Sequence, residues 1–213
     1  MRGARRILGT ALAAGALLAG CGGDGDETTT TAAPAEPEAP EKPERVAGLP
    51  RGWTVERNAA QGFSLGVPPG WRKGGACLES KAPEVPVTIL CSPDKLVTLS
   101  ISADRTGEAL ELDPGEFAAR AMAGLADSYE GLEPSEPKPF RARYEGASVN
   151  DTAKAVGTGV RQHLAVVVLR RDGVANFTAV IAANADQPTG PAVKLAEEAL
   201  GTLRSQPVGP PGG

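Results

Sequence analysis

Three cysteines and one histidine are the residues of this chain best suited to covalent or metal chemistry. Cys77 and Cys91 remain as an even pair if Cys21 has a separate role. A structural zinc site takes four soft ligands, and the chain has too few beyond this pair. Two buried thiols are another alternative. In an oxidising compartment, where disulfides persist, the pair predicts a Cys77–Cys91 disulfide.

The single histidine, His163, is the residue that any His-dependent nucleophile would need. Serines are the candidate nucleophiles, but none lies in a Gly-x-Ser-x-Gly elbow; they are Ser64, Ser80, Ser100, Ser102 and Ser148. A lone histidine on a strand with mixed neighbours is more often a hydrogen-bonded structural residue. We therefore predict no catalytic role for His163.

Two carboxylate pairs have the composition of a glycosidic acid–base site. They are Glu108 with Glu111 and Asp113 with Glu116. Both surround a predicted helix start, where capping and the helix dipole explain acidic residues. Gly157-Thr158-Gly159 lacks the rest of a phosphate-binding loop. The sequence thus predicts no enzyme, no metal site and no cofactor.

The N-terminal residues have the pattern of an export signal, predicted over residues 1–20. Three arginines (Arg2, Arg5 and Arg6) precede an apolar run from Ile7 to Leu18, and small residues follow. The run falls short of the ~20 apolar residues that cross a bilayer as a helix.

Leu18-Ala19-Gly20-Cys21 resembles the lipobox of bacterial lipoproteins. The resemblance implies that the Cys21 thiol takes a diacylglyceryl group, that Cys21 becomes the mature N-terminus, and that the lipid-modified residue carries palmitate. A plain secretory signal followed by a chance cysteine is the alternative. We expect a protein held at the extracytoplasmic face of the cell membrane, with the membrane as its partner through Cys21.

Removal of residues 1–20 leaves 193 residues with 19 basic and 26 acidic side chains, a net charge of −7. Such a balance is a poor match for nucleic acid, so we predict no nucleic-acid partner. Hydrophobic residues make up 41% of the chain but aromatics only 4%. The core is therefore expected to be aliphatic, and the length fits one domain.

Composition divides the mature chain into three parts. Residues 21–48 are rich in Pro, Glu, Thr and Gly and lack apolar residues to bury, which predicts a disordered linker. Its acids lack the spacing of a calcium loop. Residues 49–205 are predicted to form the globular domain, and residues 206–213 a disordered tail.

Period-two and period-3.6 patterns predict an α+β domain. Strands are expected over Trp53–Arg57, Phe63–Val67, Cys77–Ser80, Val85–Cys91, Leu96–Ala103 and Phe140–Tyr144, whereas residues 147–158 carry no clear pattern. Asp113-Pro114-Gly115-Glu116 begins a helix whose apolar stripe runs from Phe117 to Tyr129. A last helix is expected over Pro191–Leu203.

Asp172-Gly173 is a preferred dipeptide for a two-residue hairpin turn between strands at 160–171 and 174–183. This turn predicts Arg171 opposite Val174 and Val168 opposite Phe177, with Val166–Ala179 and Leu164–Ile181 pairs following. His163 is then expected opposite Ala182, on the face that Phe177 does not share. Arg170 and Arg171 are interpreted as a charged turn.

Gly62-Phe63-Ser64-Leu65-Gly66-Val67-Pro68-Pro69-Gly70-Trp71 resembles the opening motif of the PsbP-like family, which includes the LpqN-like lipoproteins of actinobacteria. Thr202-Leu203-Arg204 is similar to the end of the family pattern. The resemblance covers Trp53–Arg204 and implies an α/β/α sandwich with a central, mostly antiparallel sheet flanked by helices. It also implies a non-catalytic assembly or binding module.

Two functions remain compatible with these patterns. The first is an envelope module that binds another protein or a wall component through a sheet edge or the hairpin. The alternative is a small-molecule or lipid-binding lipoprotein with an apolar pocket between sheet and helix. Alanine fills many of the inward positions, which favours the first.

Overall fold

The computed structural model describes residues 48–77 and 87–208. Its strands are β1 Thr54–Asn58, β2 Phe63–Val67, β3 Arg72–Lys73, β4 Thr88–Cys91, β5 Val97–Asp104, β6 Tyr129–Glu130, β7 Lys138–Pro139, β8 Glu145–Ala155, β9 Arg161–Arg171, β10 Ala175–Asn184 and β11 Arg204–Ser205. Its α-helices are α1 Gly107–Glu111, α2 Pro114–Ala123 and α3 Gly190–Gly201, and a 3-10 turn spans Gly74–Cys77. The result is an α+β fold.

The strands form two sheets in which every described pairing is antiparallel. The large sheet has the order β3-β4-β5-β10-β9-β8-β6, with β7 also pairing with β8. The small sheet has the order β1-β2-β11. The last strand, β11, therefore pairs with an early strand, β2, and completes the small sheet.

Hydrophobic clusters lie on both faces of the large sheet. On one face, α3 packs with β2 against β5 and β10, around Phe177, Ile181 and Leu200. On the other, α2 packs against β8 and β9 through Met122 and Val166. Because both faces of the large sheet are covered here, strand β9 is buried on both sides from Val166 to Leu169.

Several sequence-based predictions are confirmed. β2 has its predicted bounds, and β5 alternates buried Val97, Leu99 and Ile101 with half-exposed Ser and Thr. Asp113 caps α2, since its carboxylate accepts from the Gly115 N–H at 2.8 Å. The helix ends at Ala123, earlier than the apolar stripe, although Leu125 and Tyr129 still pack against the hydrophobic cluster that contains Met122.

The predicted strand over Phe140–Tyr144 is wrong. These residues form a bend between β7 and β8, in which Phe140 N–H donates to Gly146 C=O at 2.9 Å. Phe140, Ala142 and Tyr144 all pack against the core, and the Tyr144 hydroxyl accepts from Ser205 N–H at 2.9 Å. Their alternation therefore reflects packing at a bend and not a strand ladder.

Two other segments differ from expectation. Cys77 ends the 3-10 turn and does not begin a strand, while Ser80 lies outside the described residues. Residues 147–158, which carry no clear sequence pattern, overlap most of the long strand β8, whose buried side chains are small. A short helix, α1, was not predicted.

The hairpin register is one residue away from the prediction. Ala175 pairs with Arg171, so Asp172, Gly173 and Val174 form a three-residue loop. A two-residue type I′ turn needs positive φ at both central residues. Gly173 has φ +64°, but Lys95 is the only described non-glycine residue with positive φ, so Asp172 does not meet the requirement.

The added loop residue exchanges the predicted neighbours. Phe177 lies opposite Leu169, not Val168, and Ile181 lies opposite Ala165. His163 consequently pairs with Ala183, on the same face as Phe177. A one-residue slip moves every side chain of one strand to the other face relative to its partner.

Candidate functional site

A groove lies between α3 and the face of the large sheet formed by β8, β9 and β10. Its volume is about 370 Å³. We call it the α3 groove; its lining residues are Asn150, Asp151, Thr152, His163, Leu164, Ala165, Ile181, Ala183, Val193 and Glu197. Ligand sites in proteins commonly have volumes of ~300–1,000 Å³ with mostly apolar walls and a few polar groups.

Strand pairing determines the floor and the rim of this groove. Thr152, His163 and Ala183 form one row across the three strands. Directly paired residues project from the same face of a sheet, and the next row is Asn150, Ala165 and Ile181. The floor is therefore apolar toward β10 and the rim polar toward β8.

Helix α3 supplies the opposite wall. Val193 and Glu197 are four residues apart and so lie on one side of the helix. Ala196 and Leu200 are buried in the core below and hold the helix in place. No lysine or arginine is among the described residues that line the groove, whereas Glu197 adds a carboxylate.

His163 is an exposed residue at the groove rim. Its Nδ1 lies 2.7 Å from the Thr152 hydroxyl, the hydrogen-bond partner that the described residues provide for it. With Nδ1 occupied, Nε2 is the ring nitrogen available to a ligand. The candidate serines Ser64, Ser100, Ser102 and Ser148 make no described hydrogen bond to this ring; Ser80 lies outside the described residues.

The carboxylate pairs have structural contacts. Asp113 caps α2, as described above, and Glu108 lies 3.5 Å from the guanidinium of Arg120. Glu111 and Glu116 are exposed. Within the described ranges, no group of three or more His, Cys, Asp and Glu side chains is placed to bind a metal ion.

Arg170, at the tip of the β9–β10 hairpin, has a structural role beyond that of a charged turn residue. Arg170 is half-buried and donates to the carbonyl groups of Leu110, at 2.6 Å, and Leu112, at 3.1 Å. These carbonyls end α1, where a cation is favourable. Arg170 therefore attaches the hairpin to α1, while Arg171 is exposed.

The β8 edge of the large sheet is occupied by the chain itself. β6 pairs near its end and β7 near its beginning. Between them, Ser135 N–H donates to Asn150 C=O at 2.9 Å, and its hydroxyl accepts from Asn150 N–H at 3.0 Å. This edge is not available to extend the sheet with a partner strand.

The cysteines divide as follows. Cys77 and Cys91 form the predicted disulfide, with Cα atoms 5.5 Å apart. Cys21, the predicted lipidation site, lies outside the described residues, as do almost all of the linker and residues 209–213 of the tail. No helix within residues 48–77 and 87–208 has the length and hydropathy to span a membrane.

Sequence reasoning singled out His163 but missed Thr152, its hydrogen-bond partner, and Glu197, which lines the same groove. Thr152 is 11 residues away on β8, the strand that carried no clear pattern. Glu197 is an exposed residue of the predicted last helix, where nothing in the local pattern marks it as part of a groove. An alternation of small buried residues with Ser, Asn and Thr was the available signal for β8.

No protein-family model and no curated protein matches this chain. Solved structures similar to it include a protein from Bacteroides thetaiotaomicron (16% identity, TM-score 0.47), covering 71% of this chain. This chain spans about half of that protein, 48% of its length.

Two further similar structures bear names from the family that the sequence motif resembles. They are cyanobacterial PsbP (CyanoP) from Synechocystis sp. PCC 6803 (13% identity, TM-score 0.48, covering 76% of this chain and 97% of that chain) and LpqN of Mycobacterium tuberculosis, described as involved in cell envelope biogenesis (16% identity, TM-score 0.43, covering 76% and 88%). At these values the likenesses assign no family to the chain.

Proposed function

We propose that this protein is a non-catalytic binding module of the cell envelope, anchored to the extracytoplasmic face of the membrane by lipid at Cys21. The module binds a small amphipathic molecule in the α3 groove. The single observation that carries this proposal is the groove itself, at the junction of sheet and helix. Its apolar floor suits an apolar body, and its polar rim suits one hydrogen-bonding head.

The same proposal includes an α/β/α sandwich of the PsbP-like type. Supporting it, the motif that begins at Gly62 forms β2, with Phe63 and Leu65 in the core. The packing of α2 and α3 against different faces of the large sheet also supports it. Binding through a sheet edge is less favoured at β8, because that edge is already hydrogen-bonded.

The charged residues that line the α3 groove limit which head group a ligand can have. Asp151 and Glu197 are carboxylates among the described lining residues, which include no lysine or arginine to balance an anionic ligand. Thr152 and His163 offer hydrogen-bonding groups at the rim. The ligand is therefore a molecule with a neutral or cationic head, and carboxylates and phosphates are disfavoured.

Three probes with one chain length test this assignment: dodecyl glucoside, dodecylammonium and dodecanoate, each below its micellar concentration. They are added to the chain from Gly22 to Gly213, and backbone amide shifts are recorded by NMR. The neutral and cationic probes are expected to shift the amides of Thr152, His163 and Ala183. Dodecanoate is expected to leave them unchanged.

Ala165→Trp places a large ring on the half-buried floor and is expected to abolish these shifts. Ala126→Trp adds the same ring at an exposed position outside the groove lining and is the matched control. The proposal is wrong if the probes shift other regions equally, or if Ala165→Trp binds them as the wild-type chain does.

A further inference from the structure

A second pocket lies along strand β2 of the small sheet. Its volume is about 400 Å³, which is within the range common for sites of small ligands. We call it the β2 pocket; its lining residues include Leu49, Arg57, Ser64, Gly66, Arg204 and Gln206. It shares no lining residue with the α3 groove, so the two pockets are separate candidate sites.

The charge of the β2 pocket is positive. Arg57 and Arg204 line it, and no acidic side chain is among its described lining residues. Neither arginine forms an ion pair with another described residue. Glu56 precedes Arg57 on β1, but its carboxylate accepts from Lys73 Nζ at 2.8 Å and is not part of the pocket lining. The two positive charges are therefore not balanced by a described residue of the pocket.

Strand pairing places the two arginines on either side of Ser64. Arg57 on β1 and Arg204 on β11 both pair with Ser64 on the central strand β2. Directly paired residues project from the same face of a sheet. Neighbouring strands are ~4.8 Å apart, so the Cα atoms of the two arginines are about 10 Å apart. A ligand that contacts Ser64 on this face therefore lies between the two arginines.

These three side chains retain hydrogen-bond donors for a ligand. Arg204 is half-buried, and one of its Nη atoms donates to two backbone carbonyls, at 3.0 and 3.1 Å. Those bonds hold the guanidinium in place and leave its Nε and its second Nη without a described partner. Ser64 is buried, and its hydroxyl accepts from Gln206 Nε2 at 3.2 Å. The Ser64 O–H has no described acceptor, so it is a further donor beside the two arginines.

Apolar residues form another part of the β2 pocket. Leu49, Val55 and Pro207 line it. Leu49 lies close to the strand because residue 66 is glycine: a Cβ there would be 2.8 Å from Leu49 Cδ2 and 3.0 Å from Thr202 Oγ1. The Thr202 hydroxyl accepts from the Gly66 N–H at 2.6 Å, which attaches this wall to β2. The pocket thus combines a positive, donor-rich part with an apolar wall.

The two arginines favour a ligand with two negative charges. Arginine binds both phosphates and carboxylates through paired N–H donors. A phosphate monoester carries a charge close to −2 at neutral pH and has three acceptor oxygens, whereas a carboxylate carries a charge of −1. The phosphate therefore matches both the charge and the number of donors.

We propose that the β2 pocket binds a small phosphate monoester, with the phosphate between Arg57 and Arg204 and an apolar body against Leu49. The Ser64 hydroxyl donates to the same phosphate. This ligand has the opposite charge preference to the one proposed for the α3 groove, and neither inference depends on the other.

Four probes test this site in the chain from Gly22 to Gly213: phenyl phosphate, benzoate, phenol and inorganic phosphate. The first three share one ring and carry close to two, one and no negative charges at about pH 7.5. Phenyl phosphate is expected to shift the NMR amide signals of Ser64, Gly66 and Arg204 in a saturable way. Benzoate is expected to bind about tenfold more weakly, because it makes fewer charged hydrogen bonds. Phenol is expected to leave these signals unchanged.

Inorganic phosphate tests the apolar wall. It carries the head group without a body, so it is expected to bind about tenfold more weakly than phenyl phosphate, because it buries no apolar surface. Equal affinities of the two probes would overturn the assignment of an ester.

Arg57→Gln tests the charge of the pocket. Arg57 is exposed and unpaired among the described ion pairs, so the variant is expected to fold and to bind phenyl phosphate about tenfold more weakly. The matched control is Arg171→Gln, which removes the same charge from another exposed arginine outside the pocket lining. The control is expected to bind as the wild-type chain does.

Three results would overturn the proposal. They are wild-type affinity of Arg57→Gln for phenyl phosphate, equal binding of phenol and phenyl phosphate, and shifts spread evenly over the domain. The α3 groove is followed through other amides, those of Thr152, His163 and Ala183. Failure of the phosphate site is therefore distinguishable from failure of the α3 groove.

Discussion

Phe177 and His163 lie on one face of the large sheet but differ in their contacts. Phe177 is 1% exposed and packs against the rings of Phe63, at 6.0 Å, and Tyr144, at 6.1 Å. His163 is exposed and makes the hydrogen bond to Thr152. The burial of each residue, and not its face, therefore determines its contribution to stability.

Phe177→Ala is expected to lower the free energy of unfolding by about 3–5 kcal/mol, because it leaves a cavity in the core. His163→Ala removes one exposed hydrogen bond and is expected to lower it by about 1 kcal/mol or less. Urea unfolding of both variants measures the difference. A loss at His163 equal to that at Phe177 would contradict the packing described here.

Asp94 gives the turn between β4 and β5 a pH dependence. The Ser92 hydroxyl and, to a lesser degree, the Leu96 N–H donate to its carboxylate and hold the pKa of Asp94 below its ordinary 3.8. A lowered pKa stabilises the fold above the unfolded-state value, and the stabilisation is lost as pH falls through the folded-state value.

Asp94→Asn is therefore expected to lower the urea midpoint at neutral pH and to have little effect well below the ordinary pKa of 3.8. Measuring both midpoints as a function of pH checks this. The side chain is largely exposed, so the effect is expected to be small. A variant that loses as much stability in acid as at neutral pH would show that the charge of Asp94 is not the cause.

At the scale of elements, the Cys77–Cys91 disulfide connects the 3-10 turn to β4. The residues are 14 positions apart, and Cys91 also pairs with Arg72 on β3 and Thr98 on β5. The bond therefore attaches the 3-10 turn to β4, next to the edge strand β3 of the large sheet. The chain-entropy model gives about 3 kcal/mol for a closed loop of this length.

Reduction is expected to lower the melting temperature of the domain by several degrees. Cys77→Ser combined with Cys91→Ser should show the same loss without reductant and should not respond to it. Thiol titration of the folded, oxidised chain from Gly22 to Gly213 is the direct check. Two reactive thiols there would exclude the bond.

At the scale of the molecule, attachment is proposed to depend on Cys21. Cys21→Ser is expected to release the protein from the membrane fraction or to leave it unprocessed, because it removes the proposed attachment point of the acyl chains. Stable anchoring requires at least two acyl chains or a second signal. Fractionation and intact mass of the full chain measure both outcomes. A Ser variant that still fractionates with the membranes, and whose mass differs from that of the wild-type protein only by the exchange of Cys for Ser, would exclude lipid at this position.

The sequence alone determined those features that depend on local geometry. Asp113-Pro114 predicts the start of α2 because a capping carboxylate and a fixed φ act within one turn. The alternation from Val97 to Ile101 predicts β5 because successive side chains of a strand point to opposite faces. The even pair Cys77 and Cys91, in a chain with a predicted export signal, likewise predicts their bond.

Only the tertiary structure decided which residues meet across strands. The register of β9 and β10 depends on the φ of Asp172, a single dihedral angle that the dipeptide preference does not fix. β8 gives a weak pattern because its buried residues are small, and its pairing brings Thr152 to His163. The α3 groove forms only when these strands and α3 are packed together, so no local pattern specifies it.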